Sequence, residues 1–189
     1  MTHHIPAVLE AIEKATVTHG FTMPSDRETG SLLKSLAASK PDGRFLEIGT
    51  GTGLGSAWLL AGMNERAHLD SVDNDPVVQA IARQSLDSDP RVTFHISSGD
   101  QFIEAAKPSS YDFIFADAWP GKYSHLNETL QLLRTGGIYF IDDMLPQPNW
   151  PAGHDQHVNQ LLDTLKSHPN LAVCQIEWST GIVLCTKVA

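Results

Sequence analysis

Residues 45–56 read Phe-Leu-Glu-Ile-Gly-Thr-Gly-Thr-Gly-Leu-Gly-Ser, a short apolar run with one acid that leads into alternating glycines. Glycine is needed where a backbone turns tightly or contacts a ligand with no Cβ in the way. A helical pattern follows near residues 55–63. A strand, a glycine loop and a helix N-terminus together are the usual nucleotide-binding arrangement of open α/β sheets. The stretch therefore predicts an α/β domain with a nucleotide-like ligand.

The glycine spacing differs from the Gly-x-Gly-x-x-Gly of dinucleotide-binding dehydrogenases. Counting from Gly49 places Leu54 at the third glycine position, and counting from Gly51 places Ser56 there. The spacing therefore favours a nucleotide-like ligand other than a dinucleotide, although an NAD-dependent enzyme stays an alternative.

Composition predicts one compact domain over residues 1–189, in which residues 1–40 form a helical lead-in. The chain has 189 residues, of which 41% are hydrophobic, and this is enough for one full core. A net charge of −9 with no Lys/Arg-rich patch argues against a nucleic-acid partner.

The sequence also predicts a cytoplasmic protein without a membrane span. No apolar stretch approaches the roughly 18 residues that a transmembrane helix needs, and the first residues have no basic segment typical of a signal peptide. Cys174 and Cys185 lie in apolar, strand-like runs. We therefore expect both to be buried thiols in a reducing compartment.

Strand and helix patterns alternate along the whole chain. Strands are predicted at residues 44–48, 67–73, 92–96, 112–117, 137–142, 171–178 and 182–187, and helices at 5–19, 28–39, 55–63, 76–86, 99–106, 123–134 and 155–167. Only Ser179-Thr180-Gly181 separates the last two strands, which is too short for a crossover, so that pair must be antiparallel. The prediction is a seven-stranded, mostly parallel sheet with one antiparallel strand and helices on both faces.

Asp73 is the second candidate ligand-binding position, together with the adjoining Asn74. It ends the second predicted strand about 20 residues after the glycine loop, where an acid can accept both hydroxyls of a ribose. Asp75-Pro76 is typical of a helix cap and first helical position. The alternative is that Asp73 is only a capping or turn residue.

The pattern acid-x-Gly-x-Gly-x-Gly resembles the first motif of class I S-adenosylmethionine (SAM)-dependent methyltransferases, which have a Rossmann-like fold. Within that class, the chain is most similar to the catechol O-methyltransferase-like, metal-dependent small-molecule O-methyltransferases. The segments that carry the resemblance are residues 22–25 with 28–30, residues 47–53, residues 111–117, and residues 136–137 with 142–143.

The resemblance implies a set of SAM-binding residues. They are Met23, Glu47, Gly49, Thr50, Gly51, Gly53, Ser56, Asp73, Asn74, Gly99, Asp100, Asp117 and Trp119. Asp100 would lie along the adenine, or would instead cap the helix at 101–106. Trp119 would pack against the adenine, or would make an ordinary hydrophobic contact.

The resemblance also implies a Mg²⁺ site formed by Asp117, Asp142 and Asp143. A divalent ion lowers the pKa of acceptor hydroxyls, and Mg²⁺ prefers oxygen ligands. The family has an Asp-Asn pair where this chain has Asp142-Asp143, which adds a charge. Alternatively, the three acids are separate caps and turn acceptors.

The family's general base is a lysine three residues after the first metal-binding aspartate, a position that is Pro120 here. Proline cannot accept a proton. Lys122 is the candidate replacement, acting with Asp117, and its alternative is a solvated surface lysine. His125 is a weaker substitute, because we expect it on the following helix. His154 and His157 have the spacing of a metal pair on one helical face, but without a third nearby ligand the pattern favours a surface or helix-start position.

These features predict a SAM-dependent methyltransferase that acts on an oxygen of a small-molecule hydroxyl acceptor. Relatives of this kind are often dimers, so a homodimer is a further hypothesis. One alternative is a SAM-binding module without turnover, which the loss of the lysine favours. The other is an NAD-dependent oxidoreductase, which leaves the terminal hairpin unexplained.

Overall fold

The computed structural model describes residues 6–189. The predicted start of the first helix, Ile5, lies outside them, as does the beginning of the predicted lead-in. The helices are α1 (Leu9–His19), α2 (Arg27–Ala38), α3 (Leu54–Gly62), α4 (Pro76–Leu86), α5 (Gly99–Ala105), α6 (Leu126–Leu132) and α7 (His154–Ser167). The strands are β1 (Arg44–Ile48), β2 (His68–Asp73), β3 (Val92–Ile96), β4 (Tyr111–Ala116), β5 (Leu133–Ile141), β6 (Leu171–Ile176) and β7 (Ile182–Lys187).

The seven strands form one sheet in the order β3-β2-β1-β4-β5-β7-β6. The first five strands are parallel, and β7 runs antiparallel to both β5 and β6. The predicted seven-stranded sheet with one reversed strand is therefore confirmed. The strand order changes direction between β1 and β4, and at such a switch point the loops at the carboxyl ends diverge and leave a crevice for a ligand.

Helices cover both faces of the sheet, because alternate residues of each strand point to opposite sides. One hydrophobic cluster joins β1 through Phe45 to helices α1–α4, and the other joins β1 through Leu46 to helices α5–α7. Trp58 of α3 lies so close to Gly30 of α2 that a Cβ on that glycine would meet the indole at 2.1 Å. The central strands are thus buried on both sides, and open α/β sheets of this kind bind ligands at the carboxyl ends of their strands.

Aspartate side chains cap the first turns of α2 and α4. Asp26 accepts the main-chain N–H groups of Glu28 and Thr29 at the start of α2. Asp75 does the same for Val77 and Val78 at the start of α4, with proline in the first turn. Both caps supply acceptors for N–H groups that a helix leaves unpaired.

Three sequence predictions differ from the structure. β5 begins at Leu133 and not at residue 137, so the helix predicted over 123–134 is reduced to α6. The predicted sixth strand ends at Ile176 and not at residue 178. Cys185 is buried as predicted, but Cys174 is exposed, because β6 is the edge strand and part of it faces solvent. Within residues 6–189, no helix is long and apolar enough to cross a bilayer.

Candidate functional site

The glycine loop turns back over the carboxyl ends of the parallel strands. The N–H groups of Gly49 and Thr50 both donate to the carbonyl of Val72, at 2.9 and 3.2 Å. Gly49 has a φ of +102°, and a Cβ there would lie 2.7 Å from the carbonyl oxygen of Asp117. Only glycine lets the loop after β1 pass this close to the loop after β4.

Asp73 connects that loop to the end of β2. Its carboxylate accepts the N–H of Gly51 at 2.7 Å and the N–H of Asp75 at 2.9 Å. These contacts fix the carboxylate at the rim of the crevice, and each oxygen keeps a further lone pair for a ligand. The alternative that Asp73 is a turn residue is therefore correct. That role is compatible with the predicted binding of a ribose, which stays a prediction.

Glu47 lies under the loop and is fully buried. The hydroxyls of Ser56 and Ser71 both donate to its Oε2, and its Oε1 has no hydrogen-bond partner among the described residues. Burial raises the pKa of this carboxyl to about 7, and the two hydroxyls oppose that shift. The carboxyl group beneath the glycine loop is therefore about half protonated near pH 7.

A cavity of about 400 Å³ opens in front of the loop. The sequence-predicted residues that line it are Met23, Gly49, Thr50, Gly51, Asp73, Asn74, Asp117 and Trp119, together with Asp143 from the predicted metal set. Residues that the sequence analysis did not single out for this role are Phe21, Pro24, Ser25, Thr52, Leu54, Asp75, Val78 and Ala118. Phe21 had no sequence feature that marked it, whereas Pro24 and Ser25 belong to the family-like lead-in.

Other predicted SAM-binding residues lie outside that lining, namely Glu47, Gly53, Ser56, Gly99 and Asp100. Gly53 makes room for α4, because a Cβ on it would be 2.6 Å from the Cβ of Ala82. A Cβ on Gly99 would likewise be 2.7 Å from the Cβ of Pro120. Both glycines therefore allow neighbouring segments to pack closely.

Asp100 does not cap α5, because Ser98 accepts the N–H of Gln101 and is the cap. The capping alternative for Asp100 is therefore wrong. Its carboxylate accepts the Ser124 hydroxyl at 2.7 Å and lies 2.8 Å from Nδ1 of His125. His125 precedes α6 in a left-handed conformation and also contacts Glu104, so the structure gives it acidic partners.

A second cavity, of about 110 Å³, adjoins the first. The two share Asp117 and Asp143, and the smaller one also contains Asp142, Gln147 and Thr180 in its wall. The structure thus brings the three predicted metal-binding acids to one space. β5 ends at Ile141 and Asp143 has a φ of +58°, so the strict alternation of a strand no longer separates Asp142 from Asp143.

Asp117 and Asp142, at this junction, have raised pKa values. Burial, and then the nearby charge of Asp142, raise the pKa of Asp117 well above its usual value. Ser25 donates to Asp117 Oδ2 at 3.2 Å, which opposes the shift. Burial raises the pKa of Asp142 to about 6, against the hydrogen bond from Thr180.

Their arrangement does not fit a divalent metal ion. Among residues 6–189, no three His, Cys, Asp or Glu side chains are grouped so that they could hold one. Asp142 Oδ1 already accepts the Thr180 hydroxyl and the N–H of Asp143. His154 and His157 belong to no group of three such ligands among these residues, and their rings lie against Tyr123 and Trp119. The favoured helix-start position is confirmed for His154, where α7 begins.

Lys122 reaches this site from the turn after β4. It is only 5% exposed, and its Nζ donates to the main-chain oxygen of Asp142 at 2.7 Å. The alternative of a solvated surface lysine is therefore wrong. Gly121 has a φ of +85°, and this left-handed conformation helps the turn direct Lys122 inward. Pro120, in the same turn, has no side-chain group that could accept a proton.

Aromatic rings enclose the outer side of this turn. Trp119 lies 4.7 Å from Tyr123 and 5.0 Å from His157, measured between ring centroids. Trp150, from the loop between β5 and α7, lies 4.5 Å from His154. The loop after β5 is therefore packed onto Trp119, which itself lines the larger cavity and is 48% exposed.

Comparison with known proteins gives a consistent family. The profile of a family described as O-methyltransferase matches residues 2–188. A provisionally named O-methyltransferase of Mycolicibacterium vanbaalenii is 36% identical over 117 residues, which cover 59% of this chain and 52% of that protein. The chain thus spans about half the length of the curated relatives it matches.

Solved structures share the fold. The O-methyltransferase TomG of Streptomyces achromogenes, in complex with SAM, has a TM-score of 0.82 at 20% identity, covering 97% of this chain and 90% of TomG. An O-methyltransferase of Bacillus cereus in complex with SAH has a TM-score of 0.81 at 20% identity, covering 96% of this chain and 90% of its own. Since the family profile extends over nearly the whole sequence, this chain belongs to the O-methyltransferase family.

Proposed function

We propose that this protein transfers a methyl group from SAM to an oxygen of a small-molecule acceptor. The observation that carries the proposal is the junction at Asp117. There the cavity of about 400 Å³ in front of the glycine loop meets a polar cavity of about 110 Å³. A transfer reaction needs two ligands in adjacent spaces with their reacting atoms aligned. The SAM and SAH bound to TomG and to the Bacillus cereus protein support the same assignment of the larger cavity.

The larger cavity has the groups that a nucleoside with an amino-acid tail requires. Asp73 offers free lone pairs at its rim for ribose hydroxyls, and Trp119 offers an aromatic face. Gly49 and Gly51 let the ligand approach the backbone closely. We assign this cavity to SAM, with the methyl group directed toward Asp117.

The acceptor hydroxyl must lose its proton as the new bond forms. In the proposed step, the acceptor oxygen bonds to the methyl carbon, the carbon–sulfur bond breaks, and SAH leaves with the electron pair. Asp117 is the proton acceptor that we propose, because burial raises its pKa well above the usual value and so makes it a stronger base. The ammonium of Lys122, buried nearby, stabilises the negative charge that develops on the oxygen.

A Mg²⁺ ion at Asp117, Asp142 and Asp143 would supply a Lewis acid at the acceptor oxygen. Because the described side chains do not fit such an ion, we derive no step through it. The homodimer, the absence of a nucleic-acid partner and the cytoplasmic location stay predictions. Sedimentation, nucleic-acid binding and cell fractionation would test them.

Two measurements test the proposed function. The first is calorimetric titration of the purified full chain with SAH, which should bind in a one-to-one complex. The second is transfer from radiolabelled SAM to a panel of diphenols and aliphatic polyols, with Asp117→Asn as the matched variant. Loss of transfer in that variant, with SAH binding retained, supports the proposal.

Other outcomes point elsewhere. A chain that binds no SAH would contradict the assignment of the larger cavity. SAH binding without transfer to any acceptor of the panel would favour the non-catalytic SAM-binding module.

A further inference from the structure

We infer that the ammonium group of Lys122 takes the place of a divalent cation beside Asp117, Asp142 and Asp143. The inference rests on the proposed function, because it assigns a metal-free way of balancing charge at that same reacting centre. A charge-balancing role for Lys122 accounts both for the proline at position 120 and for the burial of the lysine two residues later.

The first support is the burial of Lys122. An ammonium that is 5% exposed costs several kcal/mol unless acids or hydrogen-bond acceptors compensate for its lost water. Its Nζ donates to the main-chain oxygen of Asp142, which is the residue that directly follows β5. The lysine is thus fixed at the carboxyl end of the strand from which two of the three acids come.

The second support is the distribution of charge. The hydrogen bond goes to a main-chain oxygen, so the ammonium acts on the carboxylates of Asp117 and Asp142 through space and not through a direct ion pair. At a given distance, charges interact more strongly in a buried, poorly hydrated site than they do in water. A second, divalent cation among the same acids would be repelled by the ammonium.

The third support is that the acids are already held by protein donors. Thr180 and the N–H of Asp143 both donate to Asp142 Oδ1, and Ser25 donates to Asp117 Oδ2. Hydroxyl and amide donors together with one ammonium supply positive potential at these acids.

The fourth support is the local path of the chain. The N–H of Lys122 and the N–H of Tyr123 both bond to the carbonyl of Trp119, which closes a tight turn after β4. The Tyr139 hydroxyl donates to the carbonyl of Gly121 and holds that turn from the neighbouring strand. The turn therefore has one defined shape, in which Lys122 is buried and its ammonium lies against the main-chain oxygen of Asp142.

The experiment is a Mn²⁺ titration of the full chain, followed by electron paramagnetic resonance of the free ion, with SAH present. Wild-type protein should leave Mn²⁺ free. Lys122→Met, which removes the charge at similar side-chain length, should bind Mn²⁺ at least about tenfold more tightly. Lys107→Met, which removes an exposed lysine from the loop before β4, should behave as wild type.

Stoichiometric Mn²⁺ binding by the wild-type chain that Asp142→Asn abolishes would overturn the inference, and this pair decides the matter even if the Lys122 variant does not fold. A folded Lys122→Met protein that binds Mn²⁺ no better than wild type would overturn it as well. SAH titration of the same samples separates the two proposals. Absent SAH binding contradicts the proposed function, whereas Mn²⁺ binding by wild type contradicts only the role of Lys122.

Discussion

The Asp73 carboxylate accepts the main-chain N–H of Gly51 across 2.7 Å, which joins the end of β2 to the middle of the glycine loop. One side chain therefore both shapes the loop and stands at the rim of the larger cavity. The consequence is that loop geometry and ligand affinity should depend on the same residue.

Asp73→Ala should raise the dissociation constant for SAH by about 10- to 100-fold, because hydrogen bonds to a charged group contribute about 1.5–3 kcal/mol. Isothermal titration calorimetry is the measurement. Asp75→Asn is the matched control, since it also lines the cavity but keeps the helix cap. Equal losses in both variants would show that the affinity does not depend on Asp73 specifically.

Gly49→Ala should destabilise the fold and abolish tight SAH binding. The new Cβ would lie 2.7 Å from the Asp117 carbonyl oxygen, at a φ of +102° that costs an L-residue about 1–3 kcal/mol. Gly136→Ala is the control, because its φ of +79° is also left-handed but no atom lies within 4 Å of the added Cβ. Urea unfolding should show a loss in both variants, whereas only Gly49→Ala should lose affinity for SAH.

Glu47 should make the protein less stable as the pH rises from about 4.5 to about 7. Its folded pKa of about 7 lies above the unfolded value of 4.5, so the folded state binds the proton more tightly and its advantage is lost over that range. The shift corresponds to about 3 kcal/mol. Glu47→Gln should flatten this part of the stability profile.

Urea unfolding at several pH values measures that profile. The exposed Glu65 provides the control, because Glu65→Gln should leave the slope unchanged. A wild-type slope that persists in Glu47→Gln would assign the pH dependence to other groups.

Trp119→Ala should weaken SAH binding several-fold and remove the change in tryptophan fluorescence that accompanies binding. Trp119 lines the larger cavity and keeps 48% of its surface exposed, so a ligand that covers it changes its surroundings. Trp178 is 39% exposed and lies near the β6–β7 turn, outside the cavity lining. Trp178→Ala should therefore retain both the affinity for SAH and the fluorescence response. If the response were lost in that variant instead, the ligand would bind near Trp178 and not near Trp119.

Most of the fold could be predicted because its determinants are local. The glycines define the loop after β1, and the short connection over residues 177–181 forces β7 to run antiparallel to β6. The error at β5 has a local cause as well. Residues 133–136 are mostly exposed and include two polar residues and a glycine, so they lack the apolar alternation of the strand they begin.

The sequence by itself determined the class of fold, the glycine loop, Asp73 at the end of β2 and the three acids that follow β4 and β5. Only the tertiary structure decided that Lys122 is buried beside Asp142, that Glu47 supports the loop from below, and that Cys174 faces solvent on an edge strand. The physical reason is distance along the chain. Periodicity and turn chemistry act over a few residues, whereas contacts such as Ser25 with Asp117, 92 residues apart, exist only after the sheet order has brought separate loops to one edge.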